Sequence, residues 1–274
     1  MDTVTPIPFF KGFRQWLGTF ILPAMASAAI LWAFSVTTGT VTPMVIACTA
    51  LAMCLIMAWH TLKICAMDRA LAAPENFNRN DPEMEELRKD VQDMCQKAKA
   101  VNHGTRLFTV NDSRIVAMAA WTPWSGHLIG ISDGTMKRAK PEHVRAILAH
   151  EIGHIANNDP KKLHRRIHLC NFIAVTALIC AIAATLGMPL IAKAGALLAY
   201  LALDLLSNLG RNAMARIAEI RADHKAGLLA GKQAAAEALA FVRECMEEDG
   251  LREAHGMFHP HPSMTDRIAL LMAK

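Results

Sequence analysis

His150-Glu151-Ile152-Gly153-His154 is the most informative stretch of this chain. Its two histidines are four residues apart, and on an α-helix residues i and i+4 lie on one face, one turn apart. Two neutral imidazoles in that position can bind one Zn²⁺ ion, each at a Zn–N distance of about 2.0–2.1 Å. Glu151 is close enough to accept a proton from a water molecule at the metal but is angled away from ligation. The stretch therefore predicts a zinc site with a base beside it.

The residues around this stretch predict that it lies on a helix with clear ends. Pro141 is typical of the first turn of a helix. Apolar residues then recur at spacings of three and four, at Val144, Ile147 and Leu148. The helix should end near Asn157-Asn158, ahead of Pro160. The alternative is a helix whose histidines only make polar contacts. The position of both histidines on an amphipathic helix with clear ends favours a zinc site.

The composition indicates that part of the chain lies in a lipid bilayer. Hydrophobic residues make up 53% of the 274 residues and charged residues only 19%, with a mean hydropathy of +0.23. Between Arg14 and Lys63 there is no Asp, Glu, Lys or Arg, and two spans of about 20 residues fit there, at 16–36 and 44–63. A second apolar block at 169–209 is divided into two further spans at 187–189. The sequence thus predicts four membrane helices in two hairpins.

The basic residues predict how these hairpins are oriented. They cluster beside the outer ends of the four spans and are absent from the hairpin tips: Lys11, Arg14, Lys63, Arg69, Lys161, Lys162, Arg165, Arg166, Arg211 and Arg216. The positive-inside rule makes that side cytoplasmic. The net charge of +5 then indicates anchoring to anionic lipid and no nucleic-acid partner. The first span is too long for a signal peptide, and seven cysteines without a CxxC pair agree with a reducing compartment.

The predicted fold is mainly α-helical and has four segments. Residues 1–73 form the first membrane hairpin, 74–166 the first part of a cytoplasmic domain, 167–209 the second hairpin and 210–274 the second part of the domain. A linker at 74–80 precedes a helix starting at Pro82, for which a core-facing or membrane-facing role is favoured over a short coiled coil. Three β-prone runs predict a small antiparallel sheet, at 107–110, 115–120 and 128–132. One of its strands could pair with the extended backbone of a peptide substrate. The alternative is that the sheet only completes the core.

A third metal ligand is expected on the helix predicted from Arg211 to about Ala230. A catalytic zinc needs three protein ligands and one open position, and the second hairpin directly follows His154. Glu219 and Asp223 are four residues apart, so Glu219 can bind the metal while Asp223 accepts the N–H of a ligand imidazole. Such a pair is more often a solvated helix face. The position of this pair after the two histidines favours metal binding over a solvated face.

With these motifs the sequence resembles the HtpX-like zinc endopeptidases of bacterial inner membranes and, more distantly, the CAAX prenyl endopeptidases. The resemblance covers nearly the whole chain: the HExxH pattern with Asp159 after it, the paired apolar spans, Arg216, Glu219 and Asp223, and the C-terminal His261, Pro262, Arg267 and Ile268. Where that family has an Asn-Ala-Phe-Ala strand before the zinc helix, this chain has Arg114-Ile115-Val116-Ala117. We therefore expect substrate alignment to differ.

The resemblance implies a zincin-like domain that holds one Zn²⁺ per chain through His150, His154 and Glu219, with Glu151 as the base. It also implies cleavage of membrane or unfolded proteins on the cytoplasmic side, in membrane-protein quality control and stress response. Arg216, Asp223 and His261 would lie in or around the site. His261 or Arg267 could stabilise an oxyanion, an effect of about 3–4 kcal/mol, but pairing of Arg267 with a helix carboxylate to dock the tail is favoured.

Other functions remain open from the sequence. One is a membrane-embedded binding or chaperone-like factor, in which His261 completes a structural zinc site. Another is a small transporter or scaffold with an accidental motif. Natural substrates and oligomeric state are also open, and His164, His168 and His224 are expected to be interfacial or exposed.

Overall fold

The computed structural model describes residues 9–38, 43–71, 82–100, 105–185, 189–251 and 256–273. Within these ranges lie nine helices, α1 Phe9–Thr38, α2 Pro43–Leu71, α3 Pro82–Lys97, α4 Asp133–Arg138, α5 Pro141–Ala156, α6 Asp159–Thr185, α7 Leu190–Ala230, α8 Lys232–Glu248 and α9 Met264–Ala273, and three strands, β1 Arg106–Val110, β2 Ala117–Thr122 and β3 Gly126–Ser132. The linker predicted at 74–80 and residues 187 and 188 of the predicted turn lie outside the described residues.

The chain divides into two compact units. Beyond the first seven residues, one unit contains Asp68–Lys161 and Arg211–Lys274, and the other contains Pro8–Met67 and Lys162–Gly210. We refer to the first as the mixed unit, because it holds the sheet and several helices, and to the second as the helical unit. That the helical unit is a membrane domain stays a prediction.

Four helices of the described residues are long and apolar enough to cross a membrane, with candidate spans at Phe13–Trp32, Val45–Lys63, Asp159–Thr185 and Leu190–Ala230. Within the helical unit, Thr176 Oγ1 donates to Ser27 Oγ over 2.9 Å in a buried contact. Phe20 packs against Phe172 and against the imidazole of His168. His168 is only 1% exposed, so the expectation of an exposed or interfacial side chain was wrong, because this face of α6 packs inward against Phe20.

Helix α7 continues without a break for 41 residues, where a membrane span and a separate helix were predicted. Gly210 stands at the expected break, and a glycine inside a helix costs only about 1 kcal/mol. The predicted end is confirmed, since α7 stops at Ala230 and Gly231 follows with φ of 94°. One helix therefore carries both an apolar run and Glu219.

The three strands of the mixed unit form one sheet in the order β1-β3-β2. Strands β2 and β3 are antiparallel, as predicted, with Ala119 opposite Ile129. Strand β1 is parallel to β3, with Phe108 opposite Gly130, so the prediction of an antiparallel sheet was wrong for this pair. The reason is that β3, which is buried along its whole length, takes the central place, and the chain after β1 crosses to the far edge before β2 begins.

Helix α5 lies in the core of the mixed unit and packs against α3, α8, β2 and β3. Its buried residues Leu148 and Ile152 belong to the same apolar cluster as Met94 of α3 and Ile131 of β3. Helix α3 therefore faces the core, the role favoured over a coiled coil. This packing fixes the position of the helix that carries both histidines of the HExxH pattern.

Candidate metal centre

Helices α5 and α7 approach each other closely where the two sequence motifs meet. A Cβ atom added to Gly153 would lie 2.9 Å from both the Cα atom and the carbonyl oxygen of Ala222. No side chain fits that space, so a glycine is required for the two backbones to come this near. Gly153 lies between the two histidines of α5, and Ala222 lies between Glu219 and Asp223 of α7. The crossing of the two helices therefore brings the two histidines of α5 close to the two carboxylates of α7.

One donor atom from each of His150, His154 and Glu219 lies within 4.8 Å of the other two. The two Nε2 atoms are 3.1 Å apart. Glu219 places Oε2 3.4 Å from Nε2 of His150 and Oε1 3.5 Å from Nε2 of His154. Around a tetrahedral Zn²⁺ with bond lengths of about 2.0–2.1 Å, adjacent donor atoms are about 3.3–3.4 Å apart. The three donors thus fit zinc in type, number and spacing.

A carboxylate lies behind each imidazole. Asp223 Oδ1 is 2.9 Å from Nδ1 of His150, and Asp159 Oδ2 is 3.1 Å from Nδ1 of His154. Such a partner keeps the ring proton on Nδ1, so that Nε2 presents its lone pair to a metal. The contact of Asp223 is the one expected from the sequence. That of Asp159 was missed, although its place just after the HExxH helix, in the first turn of α6, was a usable signal.

Two arginines pair with these carboxylates. Arg267 donates from Nε and Nη2 to the two oxygens of Asp223 at 2.8 and 2.7 Å, and it is only 5% exposed. This is the tail-docking pair that was favoured from the sequence. Its Nη2 also lies 3.2 Å from Oε2 of Glu219. Arg221, which was not singled out, places Nη2 3.2 Å from Oδ1 of Asp159.

The remaining sequence candidates, His261 and Arg216, lie at the edge of the group. Nδ1 of His261 is 3.1 Å from Oε1 of Glu219, and most of the His261 side chain is exposed. Arg216 has no contact with the donor atoms among the described interactions and instead donates to the backbone before His261, over 2.8 Å to the carbonyl oxygen of His259. Its role is thus one of holding a neighbouring segment.

The carboxylates of the group favour positive charge at the imidazoles. Burial lowers the pKa of His150, but hydrogen bonds to Asp223 and Glu219 and the charge of Glu151 outweigh this, and the pKa is raised. Burial likewise opposes the charged form of His154, whose contacts with Asp159 and Glu219 raise its pKa to about 10. Glu151 itself is buried, with 8% exposure. Protons occupy such a site when no metal is bound, and a divalent cation competes with them.

Residues 82–274 match peptidase family M48. The chain belongs to this family. Protease HtpX from Stutzerimonas stutzeri is 31% identical over an alignment of 180 residues, which covers 57% of this chain and 62% of that protein. Protease HtpX from Chromohalobacter salexigens is 50% identical over 40 residues, which are 14% of this chain and 13% of that protein. The chain thus spans less than two thirds of the length of these relatives.

A structural comparison agrees with the family. The crystal structure of S. mikatae Ste24p superposes with a TM-score of 0.58, covering 96% of this chain and 65% of that one, at 15% sequence identity. At that identity the likeness concerns the fold alone. The mainly helical fold with a small three-stranded sheet and the resemblance to HtpX-like proteins, both predicted from the sequence, are confirmed.

Proposed function

We propose that this chain is a zinc-dependent endopeptidase that is embedded in a membrane and hydrolyses peptide bonds of membrane or misfolded proteins. The observation that carries the proposal is the cluster of His150, His154 and Glu219, whose donor atoms lie within 4.8 Å of one another, together with the buried Glu151 beside it. Membership of peptidase family M48 supports the same chemistry.

The side chains of the site divide the work of hydrolysis. A Zn²⁺ ion held by the three donors would act as a Lewis acid that polarises the substrate carbonyl and favours deprotonation of water. Glu151 accepts the proton of the attacking water and delivers it to the amine nitrogen as the C–N bond breaks. Asp159 and Asp223 keep the imidazoles oriented. His261, which is exposed and near Glu219, is placed to donate to the carbonyl oxygen as it gains charge.

Strand β2 is the element suited to align an extended substrate. Among the described residues it pairs on one side only, with β3, and it packs against α5. A peptide that adds to the other edge gains backbone hydrogen bonds whatever its sequence. The residues before β2 differ from those of the HtpX-like family, so the register of the bound peptide is where we expect this chain to depart from its relatives.

The proposed location is a bacterial inner membrane with the site on the cytoplasmic side, in a role in protein quality control. The four apolar helices support membrane insertion, and the relatives named Protease HtpX come from bacteria. The orientation rests on the basic residues beside the spans under the positive-inside rule. Lipid and protein substrates are therefore the proposed partners.

Replacing the base tests the reaction. Glu151→Gln keeps the shape of the side chain but removes its ability to accept a proton, so cleavage of an unfolded protein should fall by roughly 10²–10⁴-fold while zinc stays bound. Glu142→Gln, on the exposed first turn of the same helix, is the matched control and should keep full activity. Undiminished turnover by the Glu151→Gln chain would reject the assigned base.

A binding or chaperone-like factor with a structural zinc is the second candidate. The observation that favours it is the short distance from His261 to Glu219, which would let this imidazole close the metal site. The two candidate functions predict different effects of removing the metal. For a peptidase, chelation abolishes cleavage and leaves the fold largely intact. For a structural zinc, chelation unfolds the mixed unit, as measured by circular dichroism.

A further inference from the structure

The segment before His261 is held to α7 through its backbone. Arg216 Nη1 donates to the carbonyl oxygens of residues 256, 257 and 259 over 3.5, 3.2 and 2.8 Å. Asn212 Nδ2 donates to the carbonyl oxygen of Phe258 over 2.9 Å. Four consecutive carbonyl groups are therefore bound by two side chains one helical turn apart. Gly256, with φ of 106°, provides the turn that begins the segment.

The other end of the segment is fixed as well. The backbone N–H of Asp266 donates to Oγ of Ser263 over 3.0 Å, which caps the start of α9. Helix α9 is in turn joined to α7 by the ion pair of Arg267 with Asp223. Residues 256–263 thus form a strap that is attached at both ends and passes Glu219 at His261.

Two large apolar side chains of this strap point into solvent. Met257 is 59% exposed and Phe258 is 63% exposed, although the backbone of both is bound to α7. Leaving such side chains in water forgoes the gain of burying them. Apolar groups that are exposed on a fixed backbone are typical of binding surfaces, since little conformational freedom is lost on contact.

The strap keeps Met257 and Phe258 within a few residues of His261, which contacts Glu219. Phe258 is three residues before His261, so their Cα atoms are at most about 11 Å apart. An extended peptide advances about 3.3 Å per residue. A substrate side chain about two or three positions from the cleaved bond is therefore within reach of Phe258, and Met257 lies one residue farther along the strap.

We propose that Met257 and Phe258 form a subsite for apolar side chains of the substrate and so give this chain a preference for hydrophobic, unfolded polypeptides. The proposal rests on the proposed endopeptidase function and names the substrate class of that site. Arg216 and Asn212 are positioning residues for the subsite. A protein segment is favoured over lipid as the occupant because the strap is continuous with His261 and with the metal ligand that His261 contacts.

The test uses the full zinc-loaded chain and two peptides that differ only in having Leu or Gln at the second and third positions on both sides of the cleaved bond. For Met257→Ser/Phe258→Ser, kcat/KM on the Leu peptide should fall about tenfold through KM, with a change below about twofold on the Gln peptide. The matched control is Leu228→Ser/Met272→Ser, which removes another exposed leucine and methionine of the mixed unit and should leave the preference intact.

The outcomes separate this inference from the proposed function. An equal loss on both peptides, or the same loss in the control, overturns the subsite. A loss seen in lipid nanodiscs but not in detergent assigns these side chains to lipid and also overturns it. If neither peptide is cleaved, the subsite is tested by measuring the binding of both peptides to the Glu151→Gln chain with fluorescence anisotropy. Tighter binding of the Leu peptide that depends on Met257 and Phe258 supports the subsite, and equal binding of both peptides rejects it.

Discussion

At the residue scale, the carboxylates behind the imidazoles would determine how well His150, His154 and Glu219 bind a metal ion. Asp159 contacts His154 on one side and Arg221 on the other, so it fixes the imidazole through a chain of charged contacts. Asp223 likewise contacts His150 on one side and Arg267 on the other, so it fixes the imidazole of His150 in the same way. A ligand whose far nitrogen has a carboxylate partner is both oriented and more basic toward the metal.

Asp159→Asn tests this arrangement. The amide keeps the shape but removes the charge behind His154, and we expect zinc affinity to fall about 10–100-fold, measured by competition with a chelator of known affinity. Asp112→Asn is the matched control, since the side chain of Asp112 bonds only to Arg114 among the described contacts. Equal zinc affinity in the wild type and Asp159→Asn would refute an orienting role.

Zinc binding should release protons. The pKa values of His150 and His154 are raised, that of His154 to about 10, so at neutral pH the metal-free protein carries protons that zinc must displace. As the pH falls the protons compete better, and the apparent affinity should fall by roughly ten- to one-hundredfold per pH unit for one to two protons released. Titration calorimetry in buffers of different ionisation enthalpy measures the number of protons released when zinc binds. Binding without proton release would contradict the charge distribution described here.

At the element scale, the crossing of α5 and α7 is the feature on which the cluster depends. Gly153→Ala would place a methyl group 2.9 Å from the backbone of Ala222, which cannot move aside as a flexible side chain can. We expect the unfolding free energy to fall by about 1–3 kcal/mol, with weaker zinc binding, measured by thermal unfolding in detergent and by metal content. Gly210→Ala is the control, because nothing lies within 4 Å of its added Cβ. A Gly153→Ala chain with wild-type stability and zinc content would show that close approach is not required.

The elements also show what sequence patterns can predict. Local spacing predicted α5, its two histidines and the pair Glu219 and Asp223, because helical periodicity and end signals act within a few residues. The contact of Gly153 with Ala222, the parallel pairing of β1 and the role of Asp159 depend on packing between distant segments. The continuity of α7 was missed for a related reason, since a glycine weakens a helix only slightly when neighbouring turns are stable.

At the scale of the whole molecule, the proposed orientation predicts which segments face the cytoplasm. Alkaline phosphatase, which is active only after export, should be active when fused at residue 40 or 187, in the hairpin tips without basic residues. It should be inactive when fused after residue 160 or after Lys274. The reverse pattern would place the candidate metal centre on the outer side and would overturn the proposed cytoplasmic activity, while leaving the zinc chemistry untouched.

The central claim is that His150, His154 and Glu219 hold one zinc ion between two helices that are distant in sequence. Elemental analysis of purified full-length chains tests it most directly. We predict about one Zn²⁺ per chain in the wild type and in Glu151→Gln, and little or none in His150→Ala and Glu219→Ala, all folded by circular dichroism. Full zinc content in Glu219→Ala, or none in the wild type after zinc reconstitution, would contradict the account.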